Sequence, residues 1–359
     1  MIYFQKVEQK MTQELINDSA DFVKNCWYVA GRSVDFERRL TATKLLNENI
    51  VIFRGENDEP VALEDACPHR KLPLSRGNLN GSTVECGYHG LTFDCTGKCV
   101  AAPTQETALP KRAVVKSYPV KDQWGFLWIW MGDTDPEPDE TIIDIPNYNN
   151  PTWAKTDCGA LSIACNYLYV TDNLLDPSHV AWVHVTSFAG AGTDNQPLDI
   201  HDDGDALVVS RWIYAQSAPP YYAEMLPFAD NCDRKQHYEC RVPSTAINMS
   251  VYTPAGLGGP DKPIPDTGFI NISYNFITPV DEGNSLYFWF QHRNMHADNT
   301  ELSERMFAGA TMAFNEDKEV LEFVQTGMKD RKTPYLNLGL DAGAMRFRKK
   351  VQVRIDAEK

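Results

Sequence analysis

Two short stretches set cysteine beside histidine: Cys67-Pro68-His69 and, sixteen residues later, Cys86-Gly87-Tyr88-His89. Two thiolates and two imidazoles carried on two loop tips suit one inorganic centre. A [2Fe-2S] cluster with thiolates on one iron and rings on the other requires that donor set. Neutral rings in place of thiolates leave the cluster less negative, so an added electron is better tolerated and the potential rises. Tetrahedral zinc uses the same donors, but C-x-H paired with C-x2-H departs from finger and ribbon spacings.

A second constellation lies in Asp172-Asn173-Leu174-Leu175-Asp176-Pro177-Ser178-His179-Val180-Ala181-Trp182-Val183-His184. Two imidazoles and one carboxylate form the facial triad of a non-haem Fe(II) oxygenase, which leaves positions open for O2 and substrate. Asp176 and His179 share a helix face, whereas His184 is rotated away on an ideal helix. Pro177 cannot donate to the Asn173 carbonyl and disfavours helical geometry at Asp176, so the segment should break there. The preceding run, Ala160 to Leu175, reads as helix or, at its β-branched start, as strand.

The third ligand follows from periodicity. Glu301 to Thr326 reads as one long helix with Phe307, Ala310, Phe314, Leu321 and Val324 as its buried stripe. Asp317 falls inside the stripe, whereas Glu316, Glu319 and Glu322 lie off it and are expected in water. A buried carboxylate is costly unless paired or metal-bound. A ferrous ion answers that need; an arginine or a helix end is the alternative partner.

The cluster loops, with Arg70 after the first histidine and Gly90-Leu91 after the second, resemble those of the Rieske non-haem iron oxygenases. Within them the likeness is to homo-oligomeric types such as vanillate O-demethylase, dicamba monooxygenase and toluenesulfonate methyl-monooxygenase, from about Asn25 to about Lys329. Neither loop carries the additional cysteine of respiratory Rieske proteins. The resemblance implies that Cys67, His69, Cys86 and His89 hold the [2Fe-2S] cluster, and that His179, His184 and Asp317 hold a mononuclear iron. It implies that Asp176 bridges His89 to His179 between neighbours of a homotrimer. Asn173 matches a residue close to the iron in related monooxygenases, and a plain cap or turn role stands beside that.

The elements that position these residues make an α+β chain: a small all-β Rieske domain plus a helix-grip catalytic domain with a curved antiparallel sheet. The expected boundaries are residues 1–24 as a polar lead, 25–132 as the Rieske domain, 133–150 as a linker and 151–359 as the catalytic domain. The linker centres on the acidic, proline-bearing run from Gly132 to Glu140. Strands are expected at Trp27–Ala30, Asn49–Arg54, Pro60–Asp65, Val114–Val120 and Trp124–Met131, with a hairpin turning at Cys95-Thr96-Gly97. Later ones are expected at Ala206–Tyr214, Gln236–Arg241, Ala246–Tyr252, Phe269–Thr278 and Ser285–Asn294. Trp212, Tyr214, Tyr252, Phe276 and Trp289 are candidates for pocket or core. Arg211, Arg241 and Arg293 are candidates for holding a substrate carboxylate or sulfonate. His201, His237, His292 and His296 lack ligand spacing.

Composition narrows the rest. A chain of 359 residues suits two domains, and 43% hydrophobic with 23% charged residues describes a globular protein. Thirty-four Lys plus Arg against forty-nine Asp plus Glu gives −15, which disfavours nucleic acid and anionic membrane as partners. Nine irregularly spaced cysteines point to a reducing compartment, hence the cytoplasm. No apolar run suits a membrane span, the start lacks the order of a secretory signal, and Met11 is a second candidate start.

No flavin or nicotinamide fingerprint is present, since Gly256-Leu257-Gly258-Gly259 lies between Pro254 and Pro260. A separate NAD(P)H-dependent reductase of flavin or ferredoxin type should therefore supply electrons. The sequence thus reads as the terminal oxygenase of a Rieske monooxygenase, using O2 to hydroxylate or O-demethylate an aromatic or similar small molecule. Ring dihydroxylation, a pure Rieske electron carrier and a helix-grip binding protein are the rival readings.

Overall fold

The computed structural model describes residues 21–359 apart from 107, 110, 135, 137–141, 187, 189–195, 229–230 and 331. The lead through residue 20, Met11 included, and most of the acidic linker run lie outside the described residues. Contacts divide the chain into residues 24–145 with 278–281, and residues 146–277 with 282–359 and the described residues up to Val23.

β-Branched and aromatic runs broken by charged turns give the first unit, among the described residues, eleven short strands. They are β1 (Cys26–Arg32), β2 (Thr41–Leu45), β3 (Glu48–Arg54), β4 (Pro60–Glu64), β5 (Asn78–Asn80), β6 (Thr83–Glu85), β7 (Thr92–Phe93), β8 (Cys99–Ala101), β9 (Ser117–Tyr118), β10 (Val120–Gln123) and β11 (Phe126–Met131). Three sheets result, in the orders β1-β11-β10, β2-β3-β4-β9 and β5-β6-β7-β8. Every residue of β11 is buried, which fits a strand covered on both faces. Gly97 turns the β7–β8 hairpin at φ +80°, and a Cβ there would meet the Val115 carbonyl oxygen at 2.1 Å. Strands β5 and β6, lying between the two cysteine loops, are too short and polar for periodicity to reveal.

The second unit has β12 (Ala154–Lys155), β13 (Gly159–Ile163), β14 (Asp199–Asp203), β15 (Ala206–Gln216), β16 (Cys232–Arg241), β17 (Thr245–Pro254), β18 (Phe269–Asp281) and β19 (Asn284–Arg293). The sheet order is β12-β19-β18-β17-β16-β15-β14, with β13 also on β19. Its helices are α1 (Tyr167–Leu175), α2 (Val180–Val183), α3 (Pro220–Ala223), α4 (Thr300–Asp330) and α5 (Ala342–Ala357). The ambiguous run from Ala160 is therefore both: strand to Ile163, then helix from Tyr167. Asn166 marks the change, its side chain accepting from the Leu168 amide at 2.9 Å.

Helix α4 buries Leu302, Met306, Ala310, Ala313, Asp317, Leu321 and Gln325. The stripe thus runs one position away from the expected one at its C-terminal end, and Val324 is exposed. Phe307 and Phe314 flank it and pack on Trp289, with ring centroids 6.2 and 5.0 Å apart. Helix α5 is tied to α1 by Arg348, whose Nε donates to both Asp172 carboxylate oxygens at 3.0 and 2.9 Å.

Candidate metal centres and their cavity

In the first unit the two cysteine loops are closed by the same pair of backbone bonds. The Lys71 amide donates to the Cys67 carbonyl at 2.8 Å and the Gly90 amide to that of Cys86 at 3.0 Å. The Cys67 and Cys86 amides in turn donate to Leu72 and Leu91 at 2.9 and 2.8 Å. Lys71 and Gly90, each four residues past its cysteine, both adopt left-handed φ, +59° and +73°. Glycine meets that demand freely and lysine does not.

Cys67 and Cys86 are buried in one core with Val51, Phe53, Leu63, Leu74, Val84 and Phe93. The His69 and His89 rings lie 4.5 Å apart, and Tyr88 lies 3.9 Å from His89. Burial pushes the Cys67 thiol up, and the adjacent Cys86 adds to that push. A buried Cys67 thiol that resists ionisation, set beside Cys86 and two paired imidazoles, fits a cationic iron centre, which would hold the sulfurs as thiolates. Cys95 and Cys99 stand apart, their thiols donating to the Ser82 and Ala101 carbonyls at 3.1 and 3.3 Å.

In the second unit α1 ends at Leu175, one residue ahead of the position before Pro177, and α2 resumes after His179. His184 follows that turn, and α4 brings Asp317. One ligand atom from each of His179, His184 and Asp317 lies within 4.8 Å of the others. Asp317 Oδ1 is 3.5 Å from His179 Nε2 and 3.2 Å from His184 Nε2.

Both rings are held from behind. His179 Nδ1 lies 2.5 Å from the Asp176 carbonyl and His184 Nδ1 lies 2.7 Å from Glu316 Oε2. A ring whose Nδ1–H donates outward presents a bare Nε2 inward, as a metal ligand must. Burial alone would lower the His184 pKa, but Asp317 and then Glu316 outweigh it, and the net shift is upward. The site therefore favours positive charge where three donors converge, which suits a cation.

Asn173 Nδ2 donates to Asp317 Oδ1 at 3.1 Å. Asp176 Oδ1 accepts from the Ser178 amide at 2.7 Å and from the Ser178 hydroxyl, and Oδ2 accepts from the His179 amide at 3.2 Å. Glu316 corrects the sequence reading: it lies off the buried stripe yet serves the site. Glu322 does not simply face water either, since it accepts from the Ala164 amide at 2.9 Å.

The convergent ligands border a cavity floored by alternate residues of β16, β17 and β18, among them Arg234, Gln236, Ser250, Asn271, Ser273 and Asn275. Of the aromatic candidates only Tyr252 lines it; Trp289 and Phe276 are core, while Trp212 stacks on exposed Tyr214. The three arginines named from sequence are engaged elsewhere. Arg211 donates to Gln236 Oε1 at 2.7 Å and the Pro177 carbonyl at 3.2 Å. Arg241 pairs with Glu239, and Arg293 donates to the Met295, His296 and Asn299 carbonyls at 2.9 to 3.1 Å. Arg234 escaped notice because β16 begins four residues before its apolar alternation does.

The other histidines lie away from both centres. His201 and His237 face Asp199 and Glu239, and His296 faces the Met225 carbonyl. His292 is fully buried beside Trp153. Among the described residues, no helix is long and apolar enough to cross a membrane.

Comparison with known proteins agrees with both halves. The family described as vanillate O-demethylase oxygenase C-terminal domain matches residues 163–357, and that described as Rieske [2Fe-2S] domain matches residues 26–119. The putative toluene-4-sulfonate monooxygenase system iron-sulfur subunit of Comamonas testosteroni is 35% identical, covering 89% of this chain and 93% of that one. The vanillate O-demethylase oxygenase subunit of Pseudomonas sp. (strain HR199 / DSM 7063) is 34% identical over 94% and 96%. Crystalline dicamba monooxygenase bound to 3,6 dichlorosalicylic acid superposes with a TM-score of 0.85 at 26% identity, covering 94% of this chain and 99% of that one.

Proposed function

The chain belongs to the Rieske non-haem iron oxygenases of the vanillate O-demethylase type, as an oxygenase component, and from that membership we propose that it O-demethylates or hydroxylates an aromatic substrate. The observation that carries this reading is the convergence of His179, His184 and Asp317 on a cavity large enough to admit a ring.

Cys67, His69, Cys86 and His89 are assigned to the cluster, and His179, His184 and Asp317 to the iron. When bound, the cluster and the iron supply single-electron delivery and the activation of O2 toward a substrate C–H bond. The chain's own groups do the positioning. Asp176 and Glu316 fix the histidine rings, Asn173 steadies Asp317, and the sheet face holds the substrate. For a methoxyarene the balance is arene–OCH3 + O2 + 2 electrons + 2 protons giving arene–OH, formaldehyde and water.

A separate NAD(P)H-dependent reductase of flavin or ferredoxin type provides the electrons, and the cytoplasm is the fitting compartment. A homotrimer is proposed as the working assembly, in which the Asp176 carboxylate meets His89 of the partner subunit and couples it to His179.

The test is metal analysis with product detection. About three Fe per chain are expected from the ligand counts, falling to about two in Asp317→Ala. The native enzyme with a surrogate reductase, NADH and O2 should release formaldehyde from a methoxylated arene, and Asp317→Ala should release none. Native protein holding two Fe per chain would overturn the proposal, as would formaldehyde release that survives Asp317→Ala.

A further inference from the structure

We propose that the Tyr238 hydroxyl donates a hydrogen bond to the ether oxygen of an alkyl aryl ether substrate, so that the alkyl carbon rather than the ring is presented to His179, His184 and Asp317. This rests on the oxygenase reading and narrows it to attack beside an ether oxygen.

The direction of donation is fixed from behind the cavity face. Arg211 Nε, on β15, donates to Gln236 Oε1 at 2.7 Å, and a guanidinium has donors only. The Gln236 amide is therefore set with its oxygen on Arg211, and its Nε2 lies 3.3 Å from the Tyr238 hydroxyl oxygen. A side-chain NH2 can only donate, so the phenol oxygen accepts there and its hydrogen points elsewhere. Among the described residues the Gln236 amide is the one hydrogen-bond partner of that hydroxyl. Tyr238 lines the cavity, where a bound substrate is the acceptor within reach. Burial pushes the Tyr238 pKa up, against the pull of the Arg211 charge, so the phenol keeps its hydrogen at neutral pH. A chain that runs from a guanidinium through an amide to a hydroxyl polarises every member toward donation.

Two separate links place this hydroxyl at the metal end. Tyr238 pairs in register with Asn248 of β17, whose Nδ2 donates to the Leu174 carbonyl at 2.8 Å, and the next residue, Asn173, donates to Asp317 Oδ1. From the other side, the Arg211 that orients Gln236 also donates to the Pro177 carbonyl at 3.2 Å, two residues before His179. The Asn248 side chain is committed at both ends, since its Oδ1 accepts from Asn275 Nδ2 at 3.0 Å.

The chemistry of the donor selects the acceptor. In an alkyl aryl ether the atom bonded to the alkyl carbon is an oxygen that accepts and cannot donate. A neutral O–H aimed at it satisfies that oxygen and leaves the alkyl carbon on the ligand side. A methylene in the same place offers no lone pair and would strand the phenol hydrogen, which costs binding.

The test is equilibrium binding to the anaerobic, iron-loaded enzyme by calorimetry. The probes are 4-methoxytoluene against 4-ethyltoluene and 4-methoxybenzoate against 4-ethylbenzoate, each pair exchanging the ether oxygen for a methylene of similar shape. In at least one pair the ratio of methoxy to ethyl affinity should fall about 3- to 10-fold in Tyr238→Phe, as the loss of one neutral hydrogen bond implies. A merely structural role would weaken both members alike and leave the ratio in place. An unchanged ratio in a folded Tyr238→Phe, or binding of no probe up to millimolar concentration, would overturn the contact. If that variant fails to fold, native enzyme decides: the methoxy member should bind at least as tightly as its more hydrophobic ethyl partner, and tighter binding of the ethyl member in both pairs would overturn the contact. Formaldehyde release separates the two levels. Native enzyme that demethylates a methoxy probe while the ratio stays unchanged in Tyr238→Phe keeps the oxygenase reading and loses the contact. A ratio that falls with no formaldehyde from either methoxy probe does the reverse.

Discussion

Glu316 Oε2 stands 2.7 Å from His184 Nδ1, one residue before Asp317 Oδ1 meets Nε2 of the same ring at 3.2 Å. Two consecutive residues of α4 thus grip opposite edges of one imidazole. The Glu316 side chain is 32% exposed, so α4 reaches the ring from inside its stripe with Asp317 and from the edge of the stripe with Glu316.

Removing the outer grip should loosen the metal. Glu316→Ala is expected to weaken Fe(II) affinity about 10- to 100-fold, the usual cost of losing a partner of a ligating histidine. Glu316→Gln, which still offers an oxygen, should lie between. Anaerobic iron titration measures this, and native affinity in Glu316→Ala would remove Glu316 from the site's support.

Asp176→Asn should keep both metals and nearly abolish turnover. An asparagine keeps one oxygen to accept from the Ser178 amide, and the His179 Nδ1 contact to the backbone carbonyl at position 176 is untouched, so the turn that places His179 survives. What goes is the second anionic oxygen that the proposed trimer directs at a neighbouring imidazole. Iron content alongside kcat with a saturating reductase checks this; full activity would rule out the bridging role.

Arg211 is a positioning residue of another kind, spanning from Gln236 on the cavity floor to the Pro177 carbonyl beside Asp176. Arg211→Met leaves both buried acceptors without this donor and should destabilise the protein by about 1–3 kcal/mol. Thermal melting of the holoprotein at fixed concentration reads the effect. An unchanged midpoint would show that the span does not hold this loop.

Acid sensitivity is expected from His292. Burial first, then the nearby Lys155 charge, pushes its pKa down to about 4 from 6.5. The folded state keeps the ring neutral while the unfolded chain takes up a proton below pH 6.5, so this group's contribution is intact above 6.5 and is lost as pH falls toward 4. The slope implies a loss of about 2 kcal/mol between pH 6.5 and 5. Urea melts of the native protein and His292→Leu over that range should converge as pH falls; parallel curves would show that His292 is not the group responsible.

Much of the site was legible because its chemistry needs rare residues at tight spacing. The paired Cys and His loops, the Asp176, His179 and His184 run and the break at Pro177 are local patterns, and short loops and a proline act locally. Asp317 was legible for a different reason: a carboxylate at a buried helical position demands a partner. Glu316 was not, because periodicity sorts residues by burial and cannot tell an exposed acid from one at the rim of a stripe. Arg211, Arg241 and Arg293 looked no different from Arg234 in sequence. Which of the four faces the cavity was set by the strand register across β15 to β19, where a shift of one residue exchanges the faces.

The linear chain therefore pointed to the candidate donors, their expected grouping into two centres, and the kind of strand and helix that carries them, since each of these readings follows from local pattern. Only the folded arrangement decided which acid backs His184, which arginine enters the cavity and which aromatics are core. Those outcomes depend on pairings between segments distant in sequence, as between His184 and Glu316, 132 residues apart, and no local preference encodes them.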